Sequence, residues 1–271
     1  MRVLVLAALL LLWSGHAAAR CADLPGSGAV LDQGADFIVV GEVHGTAELP
    51  AVFADLVCAA AARGGALIVG IEHTPDNQAA LDAYMASDGG ETARARLIAD
   101  GGSWVQQGGR ASAAMFALVE AMRMLRTQGV DLHLVAFDHW IESGTNETRE
   151  GAMAANLMEA HRHRPEATVL VLTGLGHADT TGFSSAQPPF RSMVQFLPAD
   201  RTVTVAFARL GGEAWGCRRV DEVLTCAPAA SPVRDAAMAR GVTLTDSRPG
   251  FDGVLSTGTA LTASPPVRPA Q

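Results

Sequence analysis

Apolar and β-branched residues recur in short, nearly unbroken runs bounded by glycine or charge: "DFIVVGE", "ALIVGIEH", "VDLHLVAFDH", "ATVLVLTGLGH" and "TVTVAFARL". Runs of this length and composition, without alternation, predict strands covered on both faces. Between them the apolar positions follow a helical period, over roughly 47–63, in two or three segments between 75 and 129, and over roughly 147–163. Strand and helix in alternation imply right-handed crossovers and an α/β fold with a mostly parallel central sheet flanked by helices. From residue 211 the pattern changes to Gly, Pro, Cys and short β-like pieces. This predicts a small antiparallel C-terminal appendage, one last strand near "FDGVLSTG", and a flexible proline-containing tail over 264–271. No repeat at a solenoid period is present, so 20–263 reads as a single domain.

Composition narrows the classes. At 49 % hydrophobic and 18 % charged residues the chain can bury a full core, and disorder does not fit. A formal net charge of −8 gives no basic surface for a nucleic-acid partner. All 20 basic residues are Arg, which excludes Schiff-base lysine chemistry and a P-loop lysine. The partner expected is a small-molecule or peptide substrate.

Residues 1–19 have one Arg, an apolar run from Val3 to Trp13 and then small residues, the pattern of a secretory signal with cleavage after Ala19. Export to the periplasm or beyond follows. The run is shorter than the roughly 20 residues of a membrane span, and no later segment comes closer. Arg20 before Cys21 does not suit a lipoprotein signal. Four cysteines remain in the exported chain, an even set. Cys217 and Cys226 flank a plausible hairpin, which favours that local bridge and leaves Cys21 for Cys58; alternatively Cys58 is a buried thiol on a helix.

The chemistry concentrates where strands end. In open α/β sheets ligands bind beyond the carboxyl ends of the strands. The first strand ends in Glu42 and His44, the second in Glu72 and His73, the third in Asp138 and His139, and the fourth in "TGLGHAD" with His177. Four of the seven histidines outside the signal stand at four strand ends. Each residue also has a structural reading. Glu42 could serve a neighbouring helix N-terminus. Glu72 could pair an Arg. His73 points away from Glu72 if the strand continues. Thr46 and Pro50 suit the start of the next helix, but that does not account for His44. Arg149 falls in the first turn of a helix capped by Thr145 or Asn146. A cation there opposes the helix dipole, so an anionic partner is expected. His161 and His163 at the far end of that helix read as surface residues.

There is no G-x-S-x-G elbow, no G-x-G-x-x-G and no H-E-x-x-H. What remains is a set of His, Glu and Asp with an Arg, with two chemistries open. Without a metal, an imidazole acts as general base on water, a carboxylate orients it and Arg steadies the oxyanion. With one, Glu42, His44, Glu72, Asp138 and His177 form a candidate ligand set for zinc or manganese. Histidine is also an axial haem ligand, which leaves binding without catalysis open.

The motifs "VVGEVHGT", "IVGIEH", "FDHW", Arg149 with Met153, "LVLTGLGHA" and the closing "FDGVLSTGTALTASPP" resemble the superfamily joining erythromycin esterases, ChaN-like haem-uptake proteins and Tiki/TraB proteins. The resemblance covers about residues 36–266 and is carried mainly by the first and fourth strands. It implies an α/β sheet with a polar site at the strand ends. Glu42 and His44, Glu72, Arg149 and His177 would be its functional groups. By branch, it implies water attack on an ester, haem binding, or metal-dependent peptide hydrolysis with His44 and His177 as ligands.

Overall fold

The computed structural model describes residues 21–99, 102–139 and 144–267. The expected signal at 1–19, Trp140 of "FDHW" and the last four residues lie outside that range. After a short helix, α1 (Ser27–Leu31), strand β1 (Phe37–Glu42) leads to α2 (Glu48–Ala61) and β2 (Leu67–Ile71). Helices α3 (Gln78–Met85), α4 (Glu91–Ala99) and α5 (Ala113–Thr127) precede β3 (Leu132–Ala136). Then come α6 (Asn146–His163), β4 (Thr168–Gly174) and β5 (Thr202–Phe207). The antiparallel pair β6 (Glu213–Val220) and β7 (Val223–Ala230) stands apart, and β8 (Gly241–Leu244) and β9 (Gly253–Ser256) return to the main sheet.

The sheet has seven strands in the order β3-β2-β4-β1-β5-β9-β8. It is parallel except for β8, which pairs antiparallel with β9. The unbroken apolar runs arise because both faces are covered. Ile38 and Val40 of β1 pack with α2 and α5, while Phe37 and Val39 pack on the other face with Met153 and Leu157 of α6. The chain leaves β1 toward β2 on one side and, after β4, passes over β1 to β5 on the other. A crevice therefore opens at the carboxyl ends of β1 and β4. Register brings those ends level: Glu42 lies beside Gly174, and Ile71 beside both Leu172 and Ala136.

Both disulfides are formed, Cys21–Cys58 and Cys217–Cys226. Such bridges belong to oxidising compartments. None of the described helices is long and apolar enough to cross a membrane. Cys217 lies directly opposite Cys226 in the β6/β7 hairpin, which no second layer covers and which a cross-link helps to hold.

Two expectations need correction. Ser264–Val267, expected in a loose tail, is seated. The Ser264 and Val267 N–H groups donate to the carbonyls of Gly45 and Ala111 (2.7 and 2.9 Å), and the Pro265 carbonyl accepts from Ala113 N–H (2.8 Å). The Pro265 carbonyl and the Ser264 hydroxyl satisfy the start of α5, which proline can do because only its N–H is missing. Thr46 does not cap α2, which has no side-chain cap; its hydroxyl reaches back to the Val43 carbonyl at 3.4 Å. Thr145, by contrast, caps α6, accepting from Thr148 N–H at 3.2 Å.

Candidate active site

The strand ends deliver five of the expected side chains, His44, Glu72, Asp138, His139 and His177, to one cleft of about 640 Å³, where they meet Arg149 from α6 and Trp215 from the hairpin. Glu42 lies behind them. At the opposite end of the strands a second hollow of about 530 Å³, between Gln33, Asp200 and Asp252, holds no comparable group of imidazoles and cations.

Glu72 is the centre of the site. Its Oε2 accepts from Thr173 Oγ1 (2.9 Å) and Gly174 N–H (2.8 Å), and its Oε1 from Arg110 Nη1 and Arg149 Nη2 (both 3.1 Å). It also meets both imidazoles, His44 Nε2 at 3.2 Å and His177 Nε2 at 3.5 Å. Burial alone would raise its pKa, but His44, His177 and Arg110 outweigh burial and hold the carboxyl well below its ordinary range. Glu72 is an ionised anchor.

Each imidazole has a buried carboxylate behind it. His44 Nδ1 lies 2.8 Å from Glu42 Oε1, and His177 Nδ1 lies 2.8 Å from Glu150 Oε2. Glu150 is fixed in turn by Met193 N–H at 2.8 Å. The two imidazoles differ in what their Nε2 atoms face. Burial pulls the His44 pKa down most strongly, yet Glu72 and Glu42 outweigh it and push it up to about 10. With a carboxylate at each nitrogen, His44 is an imidazolium. Glu42 is shifted upward, chiefly because it is buried, with His44 pulling it down. His177 Nε2 instead lies 3.2 Å from Arg149 Nη1. A guanidinium only donates, so in the tautomer that accepts from Arg149 the ring proton sits on Nδ1, toward Glu150. The two imidazoles are thus set apart by their neighbours: His44 has a carboxylate at hydrogen-bonding distance from each nitrogen, and His177 Nε2 faces a guanidinium.

Arg149 meets the anionic partner its helix position called for, donating to Asp138 Oδ1 at 2.6 Å as well as to Glu72. The pairing with Asp138 and Glu72 keeps its pKa raised against the opposing pull of burial. Two members of this network escaped the sequence reading. Glu150 adjoins Arg149 in α6, and a carboxylate inside a helix is ordinary enough to pass unmarked. Arg110 comes from a 3-10 turn, Gly109–Ala111, far in sequence from any strand end. It joins Glu72 to Asp138 through Nη1, at 3.1 and 2.8 Å.

His73 is not in the cleft. It is fully buried, edge-on to Trp104, with Nε2 2.9 Å from the Arg110 carbonyl. Burial lowers its pKa to about 4, against the raising effect of that carbonyl. It is therefore a neutral donor that ties down the Arg110 turn. Of the "HRH" pair, expected at the surface, His163 is exposed, with Nε2 2.8 Å from Glu159, whereas His161 is largely covered and sits edge-on to Phe37.

The donor set does not fit a divalent cation. Arg110 and Arg149 occupy the space between Glu72 and Asp138 where a cation would sit, and the oxygens of both carboxylates are taken up by N–H and O–H donors. Among the described residues no group of three His, Cys, Asp or Glu side chains is arranged to hold a metal.

Gly174 has a specific steric reason. A Cβ at this position would lie 3.1 Å from His44 Nε2 and 3.4 Å from His177 Cδ2. Gly174→Ala is expected to spread the two imidazoles and to lower any turnover about tenfold or more while shifting thermal stability little. Parallel rate and melting measurements check this, and an unimpaired Gly174→Ala protein would show that the imidazole spacing is not critical.

No protein-family profile matches the chain, and no curated protein matches it by sequence. Among solved structures, a mutant of the erythromycin esterase EreC in its open conformation aligns with a TM-score of 0.62 at 15 % identity, over 88 % of each chain. The chain has the erythromycin-esterase fold. A Bacillus cereus protein shares this fold at TM-score 0.64 and 10 % identity, over 93 % of this chain and 96 % of its own. So does a succinoglycan biosynthesis protein, at TM-score 0.62 and 11 % identity, over 89 % and 91 %. The α/β fold expected from the sequence is the fold found, and these structures share it. At these identities the likeness to erythromycin esterase speaks for architecture, and the chemistry must be argued from the cleft.

Proposed function

We propose that the chain is an exported hydrolase that directs water onto an ester or amide carbonyl without a metal. One observation carries this reading: two imidazoles, each backed at Nδ1 by its own buried carboxylate, converge through Nε2 on the shared Glu72. A carboxylate at Nδ1 fixes ring orientation and tautomer, the usual arrangement for an imidazole that moves protons. The two disulfides and the signal-like start support export.

In this reading His177 Nε2 takes a proton from water once substrate draws the Arg149 guanidinium toward itself. The water oxygen forms the bond to the carbonyl carbon, and Arg149 steadies the oxyanion. As the tetrahedral species collapses, the bond to the leaving oxygen or nitrogen breaks and His44 Nε2–H supplies its proton. Water and ester thus give acid and alcohol. His177 is then protonated and His44 neutral. Glu72, in contact with both Nε2 atoms, lies on the path that returns the proton. The upward shift of the His44 pKa suits an acid that must stay charged at neutral pH.

The test is a panel of ester, lactone and peptide substrates given to the mature, oxidised protein. His44→Asn and His177→Asn are each expected to lower kcat about 10²- to 10⁴-fold. Chelator treatment is expected to leave the rate unchanged. A wild-type protein inert toward the whole panel, or a His177→Asn protein as active as wild type, sinks the proposal.

A further inference from the structure

The acids and bases of the cleft are sorted by depth. Side-chain exposure is 1 % for Glu42, 2 % for Glu72, 3 % for Glu150 and 6 % for Asp138. It is 26 % for both His44 and Arg110, 21 % for Arg149 and 14 % for His177. The carboxylates lie underneath and the nitrogen groups form the surface that an entering molecule meets. Although the chain as a whole is acidic, the floor of the cleft presents mainly N–H donors.

Arg110 is the part of this floor that the hydrolytic scheme leaves unused, and the fold invests in placing it. The His73 ring holds its carbonyl from beneath. Gly109 packs so closely on the backbone after His44 that a Cβ would fall 2.3 Å from Gly45 N. Trp215 Nε1 donates to the Gln107 carbonyl at 2.9 Å, and so the hairpin closes over the same loop. Held this way, Arg110 commits only Nη1 to protein, bridging Glu72 and Asp138. Among the described residues its Nε and Nη2 groups have no partner, and the side chain lines the cleft. A planar fork with one end anchored and the other open is suited to a two-point contact with a carboxylate-type oxyanion.

We infer that Arg110 is the anion-recognition residue of the cleft, which takes ligands carrying a carboxylate against its free Nε and Nη2 groups. This rests on the cleft being the hydrolytic site, and it adds the substrate class. The carboxylate has two sources, the acid released by hydrolysis or a carboxylate that the intact substrate carries beside the scissile bond.

Equilibrium binding distinguishes these and needs no turnover. Benzoate, N-benzoylglycine and the neutral amide of N-benzoylglycine are titrated into the mature wild-type protein, and the His44 and His177 imidazole ¹⁵N resonances are followed. The two carboxylates are expected to bind about tenfold or more tightly than the neutral amide, with affinity falling as salt rises. Benzoate equal to N-benzoylglycine assigns the site to the released acid; a stronger N-benzoylglycine assigns it to the substrate's own carboxylate. Arg110→Gln is expected to lose about tenfold or more in carboxylate affinity, and Arg110→Lys, a cation without the fork, to recover only part of it. The inference is overturned if the neutral amide binds as well as the carboxylates, a comparison made on wild type alone. Unchanged carboxylate affinity in folded Arg110→Gln also overturns it. Inertness toward the substrate panel would remove the hydrolase reading and leave this binding result standing or falling by itself.

Discussion

Glu72→Ala is expected to lower the unfolding free energy by about 3–5 kcal/mol, the cost of breaking a buried ion pair from one side, and to abolish turnover. The magnitude follows from what the carboxylate holds. Removing it leaves Arg110, Arg149 and the His44 imidazolium facing one another around a cavity, with Thr173 Oγ1 and Gly174 N–H unpaired. Glu72→Gln is expected to rescue little. Each oxygen of Glu72 accepts from at least two donors, so whichever side the amide nitrogen takes, N–H confronts N–H or O–H. Denaturant unfolding of the oxidised proteins at pH 7, with unchanged m-values, measures the effect. A Glu72→Ala protein within about 1 kcal/mol of wild type would mean that the network does not stabilise the fold as described.

The second large effect is on the acid side of the pH profile. His73 is buried, and its pKa in the folded protein, about 4, lies below the ordinary 6.5. The unfolded chain therefore takes up a proton first. Stability is intact above pH 6.5 and is lost as pH falls toward 4, by up to about 3 kcal/mol. Glu72, also depressed, adds a loss of the same sign below its ordinary 4.5. His44 acts in the opposite direction. Its raised pKa stabilises fully below 6.5, and that contribution fades as pH rises toward about 10. A quarter of its side chain faces water in the cleft, so screening keeps this alkaline loss smaller. Glu42, raised by burial, contributes with the same sign as His44, favouring the folded state most at low pH. His73→Gln, which can still donate to the Arg110 carbonyl, is expected to flatten the acid limb between pH 6.5 and 4. Unfolding free energies across that range test it, and an unchanged slope would remove His73 as its source.

How much of the site was legible depended on where each residue stands in the chain. Glu42, His44, Glu72, Asp138 and His177 each terminate an apolar run, and a parallel sheet gathers strand ends by construction. Periodicity therefore placed them together before any coordinates. Arg149 was legible because a cation near a helix N-terminus demands an explanation. Arg110 and Glu150 gave no such sign. One lies in a glycine-rich turn, the other in an ordinary helical position, and each acquires its role only through a partner 28 or 27 residues away. His73 was read correctly as pointing away from Glu72, but its grip on the Arg110 turn depends on loop packing that no local pattern encodes.

The sequence by itself determined the α/β architecture, the helices covering both faces and the strand ends on which the chemistry would fall. Those properties follow from local periodicity and burial, which neighbouring residues specify. Only the tertiary structure decided the surroundings of each group: which imidazole has a carboxylate close to both nitrogens, which faces a guanidinium, and that two guanidinium groups bridge Glu72 and Asp138. It also drew Ser264–Val267 against Gly45, Ala111 and Ala113. A charge state is the sum of burial and of partners drawn from distant segments. Glu72 meets groups from the turn after β1, α6, the turn after β4 and the Arg110 loop, and that sum exists only once the chain has closed around it.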